Sequence, residues 1–319
     1  MTTVKMKKVS IIIPCFNEQE VLPHLYDALT SLSDSQPKYQ WEFLFINDGS
    51  SDKTLSIIES LFQKDARVSY VDLSRNFGKE RAMLAGFDYV SGDCAVIMDA
   101  DLQDPPEIVS QMLAYWEQGY EDVYAKRRNR GKESWIRRRL SMAFYNVLDH
   151  STKFEILKNV GDFRLLDRKC IDAMKNLRES ERYTKGLFCW IGYKKKEILF
   201  DRHDREYGET HWNLFQLLGL AVEGFTSFTI APLRFSTIIG LLTAFIALIY
   251  LAWTLVKVAI WGDPVAGFPT LICVILFIGA VQLISIGILG EYVGRIFNET
   301  KGRPVYLVEN YKSHKESGR

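Results

Sequence analysis

The sequence has no CxxC pair and no zinc-ligand spacing; its five cysteines, Cys15, Cys94, Cys170, Cys189 and Cys273, are odd in number and scattered. Such a pattern gives no disulfide framework and is expected of buried thiols in a reducing compartment. An excess of one charge is also missing. Forty Lys and Arg oppose 39 Asp and Glu, a net of +1, so the whole chain has no polyanion-binding imbalance and no nucleic-acid partner is expected. No internal repeat or low-complexity tract is present. The opening MTTVKMKKVSIIIPCF sets basic residues before apolar ones, but its apolar run is short, broken by Pro14 and followed by Asn17-Glu18. It reads as a first strand rather than an export signal.

What is present is enough apolar material for more than one unit: 319 residues, 47% hydrophobic and 25% charged. As far as about Thr229, short β-branched runs alternate with amphipathic helical stretches. Val9 to Pro14, Trp41 to Ile46, Val68 to Leu73 and Cys94 to Met98 read as strands. This alternation predicts an α/β domain with a mostly parallel sheet and helices on both faces. Two long apolar segments follow, Phe235 to Val256 and Ala266 to Leu289, each near the ~20 residues that span a bilayer. Apolar character on all faces favours a membrane hairpin over buried core helices.

The join HWNLFQLLGLAVEGFTSF sets Leu214, Phe215, Leu218, Ala221, Val222 and Phe225 on one helical face. That stripe suits a helix on the membrane surface or one packed under the soluble domain. Residues 1–210, 211–232, 233–290 and 291–319 are thus expected to form a soluble domain, interfacial helices, a two-helix hairpin and a tail. The loop WGDPVAGFP has no Lys or Arg, whereas Arg234 precedes the first span and Arg295, Lys301 and Arg303 follow the second. Both termini and the soluble domain are therefore expected on the cytoplasmic side; Lys257, the exception, can snorkel to the outer interface. Gly287, Gly290 and Gly294 would let the second helix pack against a neighbour, so a homo-oligomer is a candidate state.

The stretch VIMDADLQDPPE places Asp99 and Asp101 just past an apolar strand, where ligands bind in open α/β sheets. Two carboxylates so close repel each other unless a cation or solvent intervenes. Hard oxygen donors suit Mg²⁺ or Mn²⁺ completed by water and substrate phosphate. An EF-hand is excluded, because Asp104 and Ser110 hold the positions that need Gly and Glu. A phosphatase-type aspartate nucleophile is disfavoured by Gln103 where Thr or Val is usual. A surface turn leading into a helix at DPPE is the plain structural alternative.

Taken in order, IIIPCFNE, FLFINDGSSDKT, SRNFGKERAMLAGFDYVSGD and DADLQDPPE resemble the inverting glycosyltransferases of family two. NVGDFRLLDR, RHDREYGETHWN, the two apolar segments and GEYVGRIFNETKGRP narrow the resemblance to membrane-bound polyprenyl-phosphate glycosyltransferases, relatives of dolichyl-phosphate mannose synthase. The resemblance spans nearly the whole chain and implies a GT-A-type, Rossmann-like nucleotide-sugar domain with a C-terminal two-helix transmembrane hairpin. It also implies that Pro14, Phe16, Glu18 and Asp48 line the nucleoside pocket, with Phe16 standing where tyrosine is common. Asp99, Asp101 and Gln103 would hold the metal at the donor diphosphate, with Asp101 also counted as catalytic. Capping of nearby helices is the other role open to Glu18 and Asp48.

Basic residues bear on the acceptor. AKRRNRGKESWIRRRLS contains Arg127, Arg128, Arg130, Arg137, Arg138 and Arg139, whose forks suit phosphate oxygens and anionic membrane lipids, or form a solvated helix face. By family position Arg127 and Arg138 would take the lipid phosphate, while Arg202 and Arg205 would grip the diphosphate. His211 stands where relatives carry lysine, so its charge depends on pH.

Asp162 in GDFR is the candidate base. A phosphate acceptor, with a second pKa of about 6, is already largely ionised, so Asp162 can instead orient the nucleophile, steady charge at the anomeric carbon, or pair with Arg164. The expected reaction is inverting transfer of one sugar from a nucleotide donor to polyprenyl phosphate at a bacterial inner membrane. Undecaprenyl phosphate and UDP-glucose are the leading substrates, with GDP-mannose and UDP-N-acetylglucosamine as other donors. A processive synthase would need a QxxRW motif and more membrane helices. A scaffold that had lost its chemistry would have lost the acidic pair.

Overall fold

A computed structural model describes residues 6–128, 157, 160–180, 182–201, 231–261 and 267–314. Its chain order is β1 (Lys8–Cys15), α1 (Leu22–Ser35), β2 (Gln40–Asn47), α2 (Thr54–Lys64), β3 (Val68–Leu73), α3 (Lys79–Tyr89), β4 (Cys94–Ile97), α4 (Ile108–Glu117), β5 (Asp122–Arg127), β6 (Val160–Asp167), α5 (Arg168–Asn176), α6 (Thr184–Trp190), β7 (Lys195–Phe200), α7 (Ala231–Trp261), α8 (Phe268–Thr300) and β8 (Val308–Lys312). The four strands read from the sequence are present, each within two residues of its expected bounds.

β1 and β2 are apolar on both faces because both are covered, as in other helix-sandwiched sheets. Ile11, Ile13, Phe43 and Phe45 join one core with Leu22, Leu25 and Leu29 of α1; Ile12, Leu44 and Ile46 join a second with Ala82, Met83, Ala85 and Phe87 of α3. α3 sits close on the sheet because Gly86 has no side chain: a Cβ there would lie 2.3 Å from Ile12 Cγ2. Cys15, Cys94, Cys170 and Cys189 are buried free thiols, as expected.

The eight strands run in the order β7-β5-β6-β4-β1-β2-β3-β8. β1 pairs in parallel with β2 and β4, and β2 with β3, but β6 is antiparallel to β4 and β5, and β8 is antiparallel to β3. β5 and β7 also pair in parallel, so the sheet is mostly parallel as expected, with β6 and β8 the two reversed strands that make it mixed. β6 and β8 escape a reading that rests on alternation of strand and helix, since alternation does not give a strand's direction and β8 is reached from α8.

β8 also changes the expected tail. The second long helix runs on past the apolar segment to Thr300, and the chain then returns to the sheet edge. Glu299 accepts from the Ser180 backbone N–H at 2.7 Å, while Asp88, at the far end of α3, receives the Tyr306 hydroxyl and the Arg178 guanidinium. Both long helices expose apolar side chains, among them Leu241, Phe245, Ile249 and Trp253 in the first and Leu283, Ile284, Ile286 and Ile296 in the second. An apolar surface of that extent calls for a nonaqueous neighbour. Among the described residues, Phe277–Thr300 is long and apolar enough to cross a membrane. The amphipathic segment 211–230 lies outside the described residues.

Candidate active site

Parallel pairing puts the carboxyl ends of β1, β2 and β4 on one edge of the sheet, and with them Pro14, Phe16, Glu18, Asp48, Asp99, Asp101 and Gln103. β5 ends at the same edge with Arg127, and β6, running oppositely, begins there. The register Ile97↔Arg164 between β4 and β6, extended by two residues, sets Asp99 opposite Asp162. Strand parity does the rest. Ala95 and Ile97 on β4 and Leu166 on β6 face α3, so Asp99 and Asp162, two and four residues away in step, share that face. Lys79 is the first residue of α3.

The Lys79 ammonium bridges the two carboxylates, at 2.6 Å from Asp99 Oδ1, 2.8 Å from Asp99 Oδ2 and 2.8 Å from Asp162 Oδ2. Asp162 is 9% exposed, and its Oδ1 is buried without a hydrogen-bond partner among the described residues. Burial alone would raise this carboxyl. The Lys79 charge outweighs that, with Lys185 and Arg164 adding, and the group is pulled down to about 2. Its stabilising contribution is thus present above the unfolded value of about 4 and is lost as pH falls through about 2.

Arg164 is not the partner of Asp162. It is 1% exposed and pairs with the equally buried Asp122 at 3.1 Å, lying over the Phe188 ring. Sequence reasoning missed Lys79 although it stands within the quoted NFGKERA. The signal was available: a lysine in the first turn opposes the helix dipole, so a compensating partner should exist.

Asp48 uses both oxygens on the backbone, accepting from Phe77 N–H at 2.7 Å and Gly78 N–H at 2.9 Å. Burial raises its pKa, and those two bonds offset this only in part. Gly49 makes the close approach feasible. Its φ is +66°, and a Cβ would fall 2.3 Å from the Arg75 carbonyl carbon. Asp48 therefore clamps the loop that launches α3 and aims Lys79.

The other expected site residues are distributed along this edge. Phe16 is 45% exposed, its ring open to a ligand, and the Glu18 carbonyl receives the Val21 and Leu22 N–H groups that begin α1. Asp101 Oδ1 accepts from the Gln103 N–H at 3.2 Å, across Leu102 with φ 56°. Asn17 and Leu102 are the non-glycine residues in the left-handed region among those described, and both lie in loops at this edge, where strain of this kind concentrates. Arg127 runs beside Gly161, whose Cβ would be 3.7 Å from Nη2. Arg128 instead forms an exposed pair with Asp201 at 3.2 Å. Arg130, Arg137, Arg138, Arg139, Arg202, Arg205 and His211 lie outside the described residues.

Glycosyl transferase family 2 matches residues 10–174, and the GtrB C-terminal hairpin matches residues 231–296. This chain belongs to glycosyl transferase family 2. It is 43% identical over 303 residues to an uncharacterized glycosyltransferase of Synechocystis sp., covering 95% of each chain. It is 41% identical over 305 residues to the bactoprenol glucosyl transferase of Shigella phage SfV, covering 96% of this chain and 99% of that one. A prophage bactoprenol glucosyl transferase homolog of Escherichia coli is 40% identical over 305 residues, with 96% and 99% covered. Among solved structures, mannosyl-3-phosphoglycerate synthase from Rubrobacter xylanophilus is 17% identical with a TM-score of 0.46, over 68% of this chain and 71% of that one. The protein is a glycosyltransferase with a GT-A-like α/β domain, and its hairpin and apolar α8 make it membrane-associated.

Replacing Asp48 by Ala leaves two backbone donors unpaired. The expected cost is about 1–3 kcal/mol, with faster hydrogen exchange at the Phe77 and Gly78 amides. Unchanged protection at both amides would show that the clamp does not hold the loop.

Proposed function

We propose that this glycosyltransferase moves one glucose from UDP-glucose to polyprenyl phosphate, with inversion, on the cytoplasmic face of a bacterial inner membrane. The observation that carries the chemistry is the convergence of Asp99 and Asp162 on one ammonium at the carboxyl edge of the sheet. Donor-side and reaction-side carboxylates then lie within one charge of each other. Glucose and the polyprenyl acceptor rest on the full-length relatives named bactoprenol glucosyl transferase.

In this reading Pro14, Phe16, Glu18 and the Asp48 loop receive the nucleoside, and Arg127, with Arg138, meets the acceptor phosphate. Arg202 and Arg205 belong to the diphosphate. The proposed domains are residues 1–210, 211–232, 233–290 and 291–319, with two spans and both termini cytoplasmic.

The acidic pair fits a divalent cation. The place already attracts a cation, since Lys79 caps Asp99, and Asp99 and Asp101 offer hard oxygens. Among the described residues no cluster of three acidic, histidine or cysteine ligands forms, so substrate oxygens would complete the shell, as Mg²⁺ and Mn²⁺ accept. When bound, the cation neutralises charge developing on the leaving diphosphate. Asp99, Asp101 and Gln103 would hold it, the Gln103 backbone N–H also donating to Asp101.

Asp162, drawn down to about 2, is too weak a base to be tuned for proton abstraction at neutral pH. An ionised phosphate acceptor needs none. Asp162 therefore steadies positive charge at the anomeric carbon and orients the incoming oxygen through the Lys79 ammonium it holds.

Purified protein incubated with labelled nucleotide sugars and polyprenyl phosphate is expected to make a lipid-linked glucose from UDP-glucose. Asp99→Ala and Asp101→Ala are each expected to lower turnover at least roughly a hundredfold while the protein stays folded. Full turnover in the presence of chelator would refute the metal reading. The pH–rate profile is expected to show the acceptor's ionisation near about 6 and no carboxylate inflection. Asp162→Asn is expected to lower the whole curve without reshaping it. An inflection that disappears in Asp162→Asn would identify a general base instead.

A further inference from the structure

Lys79 does more than neutralise Asp162. Its ammonium lies against both oxygens of Asp99, at 2.6 and 2.8 Å, and Asp99 is the carboxylate proposed above for the cation. Lying against both oxygens, the ammonium puts a like charge where a divalent ion would bind that carboxylate, so the two compete for it. Lys79 is 42% exposed, so it has room to withdraw from Asp99, whereas its contact with the buried Asp162 keeps it tethered. Its position in the first turn of α3 is otherwise unfavourable for a cation.

We propose that Lys79 is a positioning residue that occupies Asp99 in the substrate-free enzyme and yields it to the divalent cation only when donor diphosphate oxygens help complete the metal shell. The inference rests on the metal reading above. Its physical basis is competition between like charges for one carboxylate. Before the donor arrives, Lys79 weakens cation binding. Once the diphosphate adds its own oxygens and negative charge, the cation prevails at Asp99, and Lys79 remains on Asp162, holding it toward the acceptor. Metal and donor are thereby made to bind together, so an idle metal-loaded site is avoided.

The test is Mn²⁺ binding to the full-length, detergent-solubilised protein, read by electron paramagnetic resonance without nucleotide and again with UDP. Wild type is expected to bind Mn²⁺ weakly alone and more tightly with UDP. Lys79→Met is expected to bind Mn²⁺ alone roughly tenfold more tightly, a modest figure because the site is partly open to solvent. UDP should then add less, and turnover should fall despite the tighter metal. Lys79→Arg keeps the charge and is expected to keep the weak affinity of wild type. A misfolded variant would lose the metal site rather than improve it. Lys79→Met binding Mn²⁺ no better than wild type, or Lys79→Arg gaining the same affinity as Lys79→Met, would overturn the proposal while leaving the metal reading intact if UDP still tightens binding. Absence of Mn²⁺ binding in every protein, with and without UDP, would overturn both.

Discussion

The site depends on one constraint, the antiparallel register that places β6 beside β4. Register in a sheet with both faces buried is fixed, because a slip by one residue would send Leu166 and Ile97 to the wrong core. The same parity that buries those side chains under α3 brings Asp162 and Asp99 to the Lys79 ammonium. A β6 running parallel would carry residue 162 to the opposite edge. Packing and chemistry are thus set by a single pairing.

Around that pairing the fold supplies supports of different kinds. Gly86 lets α3 lie against Ile12, and Asp48 holds the two N–H groups that precede its first turn. At its other end α3 carries Asp88, bound to Arg178 and Tyr306, and the chain after the long apolar helix α8 continues into β8 at the sheet edge. The helix that aims Lys79 is therefore tied at its far end to the segment leaving α8. Arg164 of β6 and Asp122 of β5, both fully buried, form a separate pair whose break would leave an uncompensated charge in the core.

Much of this was legible in the sequence because it rests on local pattern. β-branched runs marked β1 to β4, and the family resemblance marked the residues that gather at their carboxyl ends. What was not legible rests on pairing between distant segments. No local feature of GDFRLLDR says that β6 runs antiparallel within a mostly parallel sheet, and the alternative pairing of Asp162 with Arg164 gave way to Lys79. The tail GRPVYLVENYK carries no strong alternation, and it becomes a strand because β3 offers it an edge. Asp48 was placed by resemblance at the nucleoside, yet its immediate partners are two backbone amides that only the folded loop brings to it.

The central claim is that Asp162 and Lys79 are energetically coupled. A double-mutant cycle on thermal unfolding of the solubilised protein, using Lys79→Met, Asp162→Asn and the pair together, measures this directly. Lys79→Met strands the buried Asp162 carboxylate, a cost that is absent once residue 162 is Asn, so the double variant is expected to be less destabilised than the sum of the two by about 1 kcal/mol, the Asp99 contact and partial solvent screening of Lys79 keeping the figure small. Strict additivity would contradict the account.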